Sequence, residues 1–168
     1  MKILKFIIFL AMTISLILSQ TSLKEGDAAP DFSLQSGEGN WVKLSDYKDK
    51  SNVVLYFYPK DFTSGCTKQA CNFRDYITDI QQNNAVVLGV SVDNAESHKK
   101  FKEEYNLNYI LLADTSKMVS GRYSGLRENG LANRVTFIID KNGIIKKIYP
   151  DVDVNENYKE IIEFLKGM

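Results

Sequence analysis

Between Asn52 and Tyr58 the chain reads NVVLYFY, uncharged and built almost wholly of β-branched and aromatic side chains. A run like this has no polar face to turn toward water, so as a strand it must be covered on both sides. Cover on both sides requires other layers above and below a sheet. A second run of the same kind, Ala85 to Val92 (AVVLGVSV), follows some thirty residues later. Between them Ala70, Phe73, Ile77 and Ile80 recur three, four and three apart, the spacing of one helix face. After the second run, Asn94 to Tyr105 reads as a charged surface helix opened by Asp93 or Asn94 as N-cap. Buried strands alternating with amphipathic helices give an α/β protein with a central sheet.

The remaining segments extend that unit. Phe32 to Leu34 and Trp41 to Leu44 read as an early strand pair, with Ser45 starting a turn. Ile110 to Leu112 is a short strand, followed by a helix near Lys117 to Tyr123. Val135 to Ile139 and Ile144 to Tyr149 flank Asp140-Lys141-Asn142-Gly143, where Asn-Gly favours the positive φ angles of a tight hairpin. Tyr158, Ile161, Ile162 and Leu165 place a last helix on the sheet. The sum matches a thioredoxin-like fold, a central mixed β-sheet flanked by helices, which by itself specifies no reaction.

Lys2 and Lys5 precede an apolar, charge-free run from Phe6 to Leu18, followed by Ser19, Gln20, Thr21 and Ser22. The pattern is that of a secretory signal peptide over residues 1–22; the run is short of the roughly 20 apolar residues that span a bilayer. The expectation is one domain over residues 23–168, in the secretory pathway, secreted, or carried to an organelle by that route, with no stable membrane association after cleavage. Composition suits one compact domain, at 44% hydrophobic and 25% charged residues. Lysine and arginine number 21 against 21 acids. With no basic block, and with Lys99, Lys100 and Lys102 offset by Glu96, Glu103 and Glu104, nucleic-acid binding is not expected.

Both cysteines, Cys66 and Cys71, lie in the stretch PKDFTSGCTKQAC. As a structural staple they are poorly placed: five residues apart on one helix, their Cα atoms are roughly 8.7 Å apart, whereas a disulfide needs about 4.4 to 6.8 Å. A zinc site wants four ligands, and the one histidine, His98, is distant in sequence; His98 reads as a helix surface residue without a role. The third possibility is a redox nucleophile. Cys66 falls where loop becomes helix, and the free backbone N–H groups with the positive helix end there stabilise a thiolate.

The residues PKDFTSGCTKQACNFRD, with NRVTF far downstream, resemble a peroxiredoxin of the bacterioferritin-comigratory or peroxiredoxin Q type. The similarity also takes in Ala29-Pro30-Asp31-Phe32, the strand NVVLYFYP, GVSVDNAESHKKF and RVTFIID. It implies that Cys66 is the peroxidatic cysteine, that Pro59, Thr63 and Arg134 complete its pocket, and that Cys71 is the resolving thiol. On its own, Thr63 reads equally as a helix cap, Arg134 as a surface residue and Pro59 as a strand terminator. Three positions depart from the commonest motif: Phe62 replaces a polar residue, Ser64 stands where proline is frequent, and Gln69 stands where glutamate is frequent. On this reading Gln69 removes a charge that could hold Arg134, and Phe62 extends an apolar rim suited to organic hydroperoxides.

The implied activity is a thiol peroxidase that reduces hydrogen peroxide and alkyl hydroperoxides and is recycled by thioredoxin or a similar dithiol reductant. It needs no cofactor and no metal, and the resemblance implies a monomer. Two other readings stay open, a thiol-disulfide oxidoreductase, weakened by the absence of a C-x-x-C pair, and a secreted interaction domain with a fixed bridge.

Overall fold

The computed structural model describes residues 23–168, so the expected signal peptide at 1–22 lies outside the described residues. The elements run β1 (Ser33–Ser36), β2 (Trp41–Lys43), a 3-10 turn (Leu44–Tyr47), β3 (Asn52–Phe57), α1 (Ser64–Asp75), α2 (Ile77–Gln82), β4 (Ala85–Ser91), α3 (Ala95–Glu104), β5 (Ile110–Ala113), α4 (Met118–Tyr123), β6 (Val135–Ile139), β7 (Ile145–Tyr149) and α5 (Asn157–Lys166). The seven strands form one sheet in the order β2-β1-β5-β4-β3-β6-β7. Strands β3, β4 and β5 are parallel neighbours, while β6, β7, β1 and β2 join them antiparallel.

Alternation along β3 divides the core into two layers. Val54 and Tyr56 face a layer that includes Ala70, Phe73, Ile80, Phe101, Ile161 and Leu165, brought by the helices. Val53, Leu55 and Phe57 face the other, with Phe32, Leu44, Tyr123 and Phe137. Residues 53 to 57 are all buried, as a run without a polar face requires. Each such side chain contributes about 1.5–3 kcal/mol by leaving water, so β3 is the strand the rest is built around.

The stripe Ala70, Phe73, Ile77, Ile80 lies in one layer, but on two helices rather than one. The break is Tyr76, with φ −108° and ψ 16°, and its ring stacks on Tyr158 of α5 at 4.2 Å between centroids. Spacing alone cannot show this break, because the stripe continues across it. The β6–β7 hairpin also differs in detail. Only Gly143 takes a positive φ, 81°; the Asp140 carboxylate accepts from the N–H groups of Asn142 and Ile144, each at 2.9 Å, and fixes the turn without a left-handed Asn142. The outer edge of β7 is covered by the incoming chain, through Gly26 N–H to Ile145 O, Ile145 N–H to Asp27 O and Ile148 N–H to the Glu25 carboxylate.

Candidate active site

The pairing of β3 with β6 assembles the site. Phe57 lies opposite Val135 in the antiparallel register, so the chain leaving β3 and the residue entering β6 share one end of the sheet. From β3 the backbone passes the buried Tyr58 and Pro59, makes a short loop, and starts α1 at Ser64. Arg134 immediately precedes β6. Two residues separated by 68 positions thereby meet: Arg134 Nη2 lies 3.2 Å from Cys66 Sγ.

Cys66 is the third residue of α1 and is 1% exposed. The intrahelical ladder begins with Thr67 N–H to Thr63 O, which leaves the N–H groups of the first turn aimed at the helix start. No acidic residue stands in that turn. The sulfur therefore sits at the positive end of a helix and within hydrogen-bond reach of a guanidinium.

The same guanidinium donates from Nη1 to Gln69 Oε1 at 2.5 Å. The charge expected to be absent at this position is absent, and an amide oxygen orients the fork in its place. Gln69 is buried, and its Nε2 has no hydrogen-bond partner among the described residues. A glutamine also leaves the positive charge of Arg134 unneutralised, so all of it is available to the sulfur.

Thr63 occupies the N-cap position with an extended backbone, but its side chain caps nothing. Its hydroxyl donates instead to Lys60 O at 3.0 Å. With the proton committed inward, the oxygen lone pairs stay open to a donor from outside. Pro59 is buried at the root of the loop. Phe62 adopts a left-handed backbone, φ 61°, and lays its half-exposed ring on Phe101 (5.1 Å) and Tyr105 (6.4 Å).

Cys71 is half-buried on the same uninterrupted helix, and both thiols are free. Helix geometry keeps their Cα atoms roughly 8.7 Å apart, so joining them requires the turn between them to open. Around Cys71 the helix is tied down from outside: Tyr109 OH donates to Ala70 O (3.2 Å) and Asn72 Nδ2 to Val154 O (2.7 Å). Burial holds the Tyr109 phenol well above its usual range, so it remains a donor.

His98 is not a surface residue. It is 0% exposed, with Nδ1 2.9 Å from Asp61 Oδ2 and Nε2 3.1 Å from Leu112 O. Its spacing of three from Phe101, also fully buried, was the available signal, since both fall on the inner face of α3. Asp61, within the stretch that carries the cysteines, is buried with it.

The family model described as AhpC/TSA matches residues 25–148. The chain belongs to the AhpC/TSA family and is a peroxiredoxin of the Bcp and PrxQ type. Peroxiredoxin Bcp of Bacillus subtilis is 42% identical over 155 residues, covering 88% of this peroxiredoxin and 98% of the relative. The crystal structure of peroxidoxin BcpB from Mycobacterium tuberculosis superposes with a TM-score of 0.80 at 30% identity, over 87% of this chain and 98% of that one. A cysteine-to-serine mutant of PrxQ from Xylella fastidiosa gives 0.82 at 28% identity, over 88% and 98%. The thioredoxin-like fold expected from the strand and helix pattern is thus the one observed. As a peroxiredoxin the protein is a peroxidase, acting on peroxides with a thiol reductant.

Proposed function

We propose that Cys66 is the peroxidatic nucleophile, that Arg134, Thr63 and Pro59 form its peroxide pocket, and that Cys71 resolves the oxidised sulfur. The observation that carries this is the Arg134 guanidinium 3.2 Å from a buried helix-start thiol. The Cys66 thiolate attacks one oxygen of ROOH, an S–O bond forms and the O–O bond breaks, and RO⁻ departs to take up a proton as ROH. Arg134 supplies fixed donors where that charge develops, and the Thr63 oxygen accepts a hydrogen bond from the peroxide O–H and so orients the O–O axis. Buried Pro59 brings no N–H to the pocket and keeps the loop's entry stiff.

The resulting Cys66 sulfenic acid condenses with the Cys71 thiol, forming an S–S bond and releasing water. Because the helix separates the two sulfurs, α1 must open locally during each turnover. A thioredoxin-like dithiol then reduces the disulfide, and hydrogen peroxide and alkyl hydroperoxides are the substrates. The covered edge of β7 and the three-residue length of β2 leave little sheet edge for pairing between copies, which supports a monomer. Residues 1–22 direct the chain into the secretory pathway, a reading supported by Lys2, Lys5 and the run Phe6 to Leu18; fusing them to a reporter tests it by whether the reporter leaves the cytosol.

The decisive assay is peroxide consumption by the purified residues 23–168 with a thioredoxin system, beside thiol labelling and mass spectrometry of the same protein given one equivalent of peroxide without reductant. The wild-type chain should pass from two free thiols to one internal disulfide per peroxide. Cys66→Ser should abolish consumption, while Cys71→Ser should keep the first turnover and trap sulfenic acid. Peroxide reduction that survives Cys66→Ser would refute the assignment.

A further inference from the structure

Beneath the loop that leads to Cys66 lies a buried polar cluster that the peroxide chemistry does not use directly. The Asp61 carboxylate, 3% exposed, accepts from Tyr58 OH at 2.7 Å on Oδ1 and from Ser97 Oγ at 2.7 Å on Oδ2. His98 Nδ1 faces both of its oxygens, at 3.2 and 2.9 Å. The other ring nitrogen meets the Leu112 carbonyl, which can only accept, so that nitrogen carries a hydrogen. Asp61 is also held through its backbone: its N–H donates to Asp93 Oδ2 at 3.0 Å, and Asp93 is fixed by the hydroxyl of Ser91 at the end of β4.

The ring therefore joins three parts of the fold, namely the active-site loop, α3 and β5. It has little room to move. The β1–β2 turn packs on α3 at Gly37, where an added Cβ would lie 3.0 Å from Lys99 N and 3.2 Å from both the carbonyl carbon and the Cβ of His98. Immediately after the pinned Asp61, Phe62 takes its left-handed conformation, which costs an L-residue about 1–2 kcal/mol, and Thr63 follows at the start of α1. Such a bend in a non-glycine residue persists only where its surroundings over-determine it, and the carboxylate one residue before it is anchored on every side.

We propose that His98 and Asp61 are positioning residues for peroxide reduction: they hold the Phe62 bend and so fix the Thr63 hydroxyl relative to the Cys66 sulfur. This rests on the reading of Cys66 as nucleophile. The pair acts on the orientation of the peroxide, not on the charge of the thiol. A displacement near 1 Å at a reacting geometry costs about a hundredfold, so loss of the anchor should be felt in the peroxide reaction alone.

The test compares two second-order rate constants in a Cys71→Ser background, one for hydrogen peroxide and one for iodoacetamide, which needs the thiolate but no oriented O–O bond. His98→Leu should lower the peroxide constant tenfold or more and leave alkylation within twofold. His98→Asn, which restores a donor toward Asp61, should recover most of the loss. Tyr58→Phe removes one donor from Asp61 without emptying the core, and should lower the peroxide constant severalfold in the same selective way even if His98→Leu does not fold. Peroxide constants within twofold of wild type in the folded variants, or peroxide and alkylation constants falling together, overturn the proposal. A wild-type chain inert toward peroxide overturns the Cys66 reading itself, and this one with it.

Discussion

Replacing Arg134 by methionine keeps most of the side-chain length and removes the charge and the fork. At 3.2 Å and an effective dielectric near 20, the bare Coulomb attraction between guanidinium and thiolate is about 5 kcal/mol. Part of that offsets the water given up by both groups, so the net loss should be nearer the roughly 1.5–3 kcal/mol of a hydrogen bond to a charged group. At about 1.36 kcal/mol per factor of ten, the thiolate's reaction with iodoacetamide near neutral pH should slow by about one to two orders of magnitude. The peroxide reaction should slow further, because the same donors also face the departing oxygen. Arg134→Lys keeps a charge without the two-pronged geometry and should fall between. Competition kinetics for hydrogen peroxide beside alkylation rates, both on Cys71→Ser protein, read the two effects separately. If Arg134→Met reacts with peroxide within threefold of wild type, the 3.2 Å contact has no catalytic meaning and the mechanism is wrong.

Three further outcomes are expected. Tyr109→Phe removes the outside hydrogen bond to Ala70 O, beside Cys71; about 1 kcal/mol less resistance to opening α1 should speed disulfide formation roughly fivefold, measured by quenching after one equivalent of peroxide. Phe62→Asp should lower turnover of cumene hydroperoxide relative to hydrogen peroxide, and an unchanged ratio would remove Phe62 from substrate choice. Burial acts to raise the pKa of Asp31, but hydrogen bonds from the backbone and side chain of Ser45 and from Phe32 N–H outweigh it, and the net shift is downward. A folded value below the unfolded one means that the contribution is present above pH ~3.9 and is lost as pH falls through the lower folded value. Asp31→Asn should therefore flatten the acid limb of an unfolding-midpoint curve and leave its alkaline limb unchanged.

Local chemistry made much of this protein legible without coordinates. The run VVLYFY after Asn52 could only be a doubly covered strand, since it has no polar face to turn toward water, and Tyr158, Ile161, Ile162 and Leu165 could only be the inner face of a helix, with Ile161 and Leu165 buried. The position of Cys66 at a helix start was equally plain, because a loop-rich segment precedes a helical stripe. These features follow from periodicity, which is carried by neighbours a few residues apart.

What periodicity cannot carry is the meeting of distant residues. Arg134 reaches Cys66 only because β6 pairs with β3 in a register that sets Val135 opposite Phe57, and Gln69 orients that arginine only once it has arrived. The helix breaks at Tyr76, where a ring of α5 stacks against it from 82 positions away. His98 illustrates the limit most directly: a lone histidine among lysines and glutamates reads as solvated, and it is buried because Asp61, 37 positions earlier, folds beneath α3 and offers it a carboxylate. A polar side chain's place is settled by the partner it finds, and for these residues the partners are chosen by the sheet.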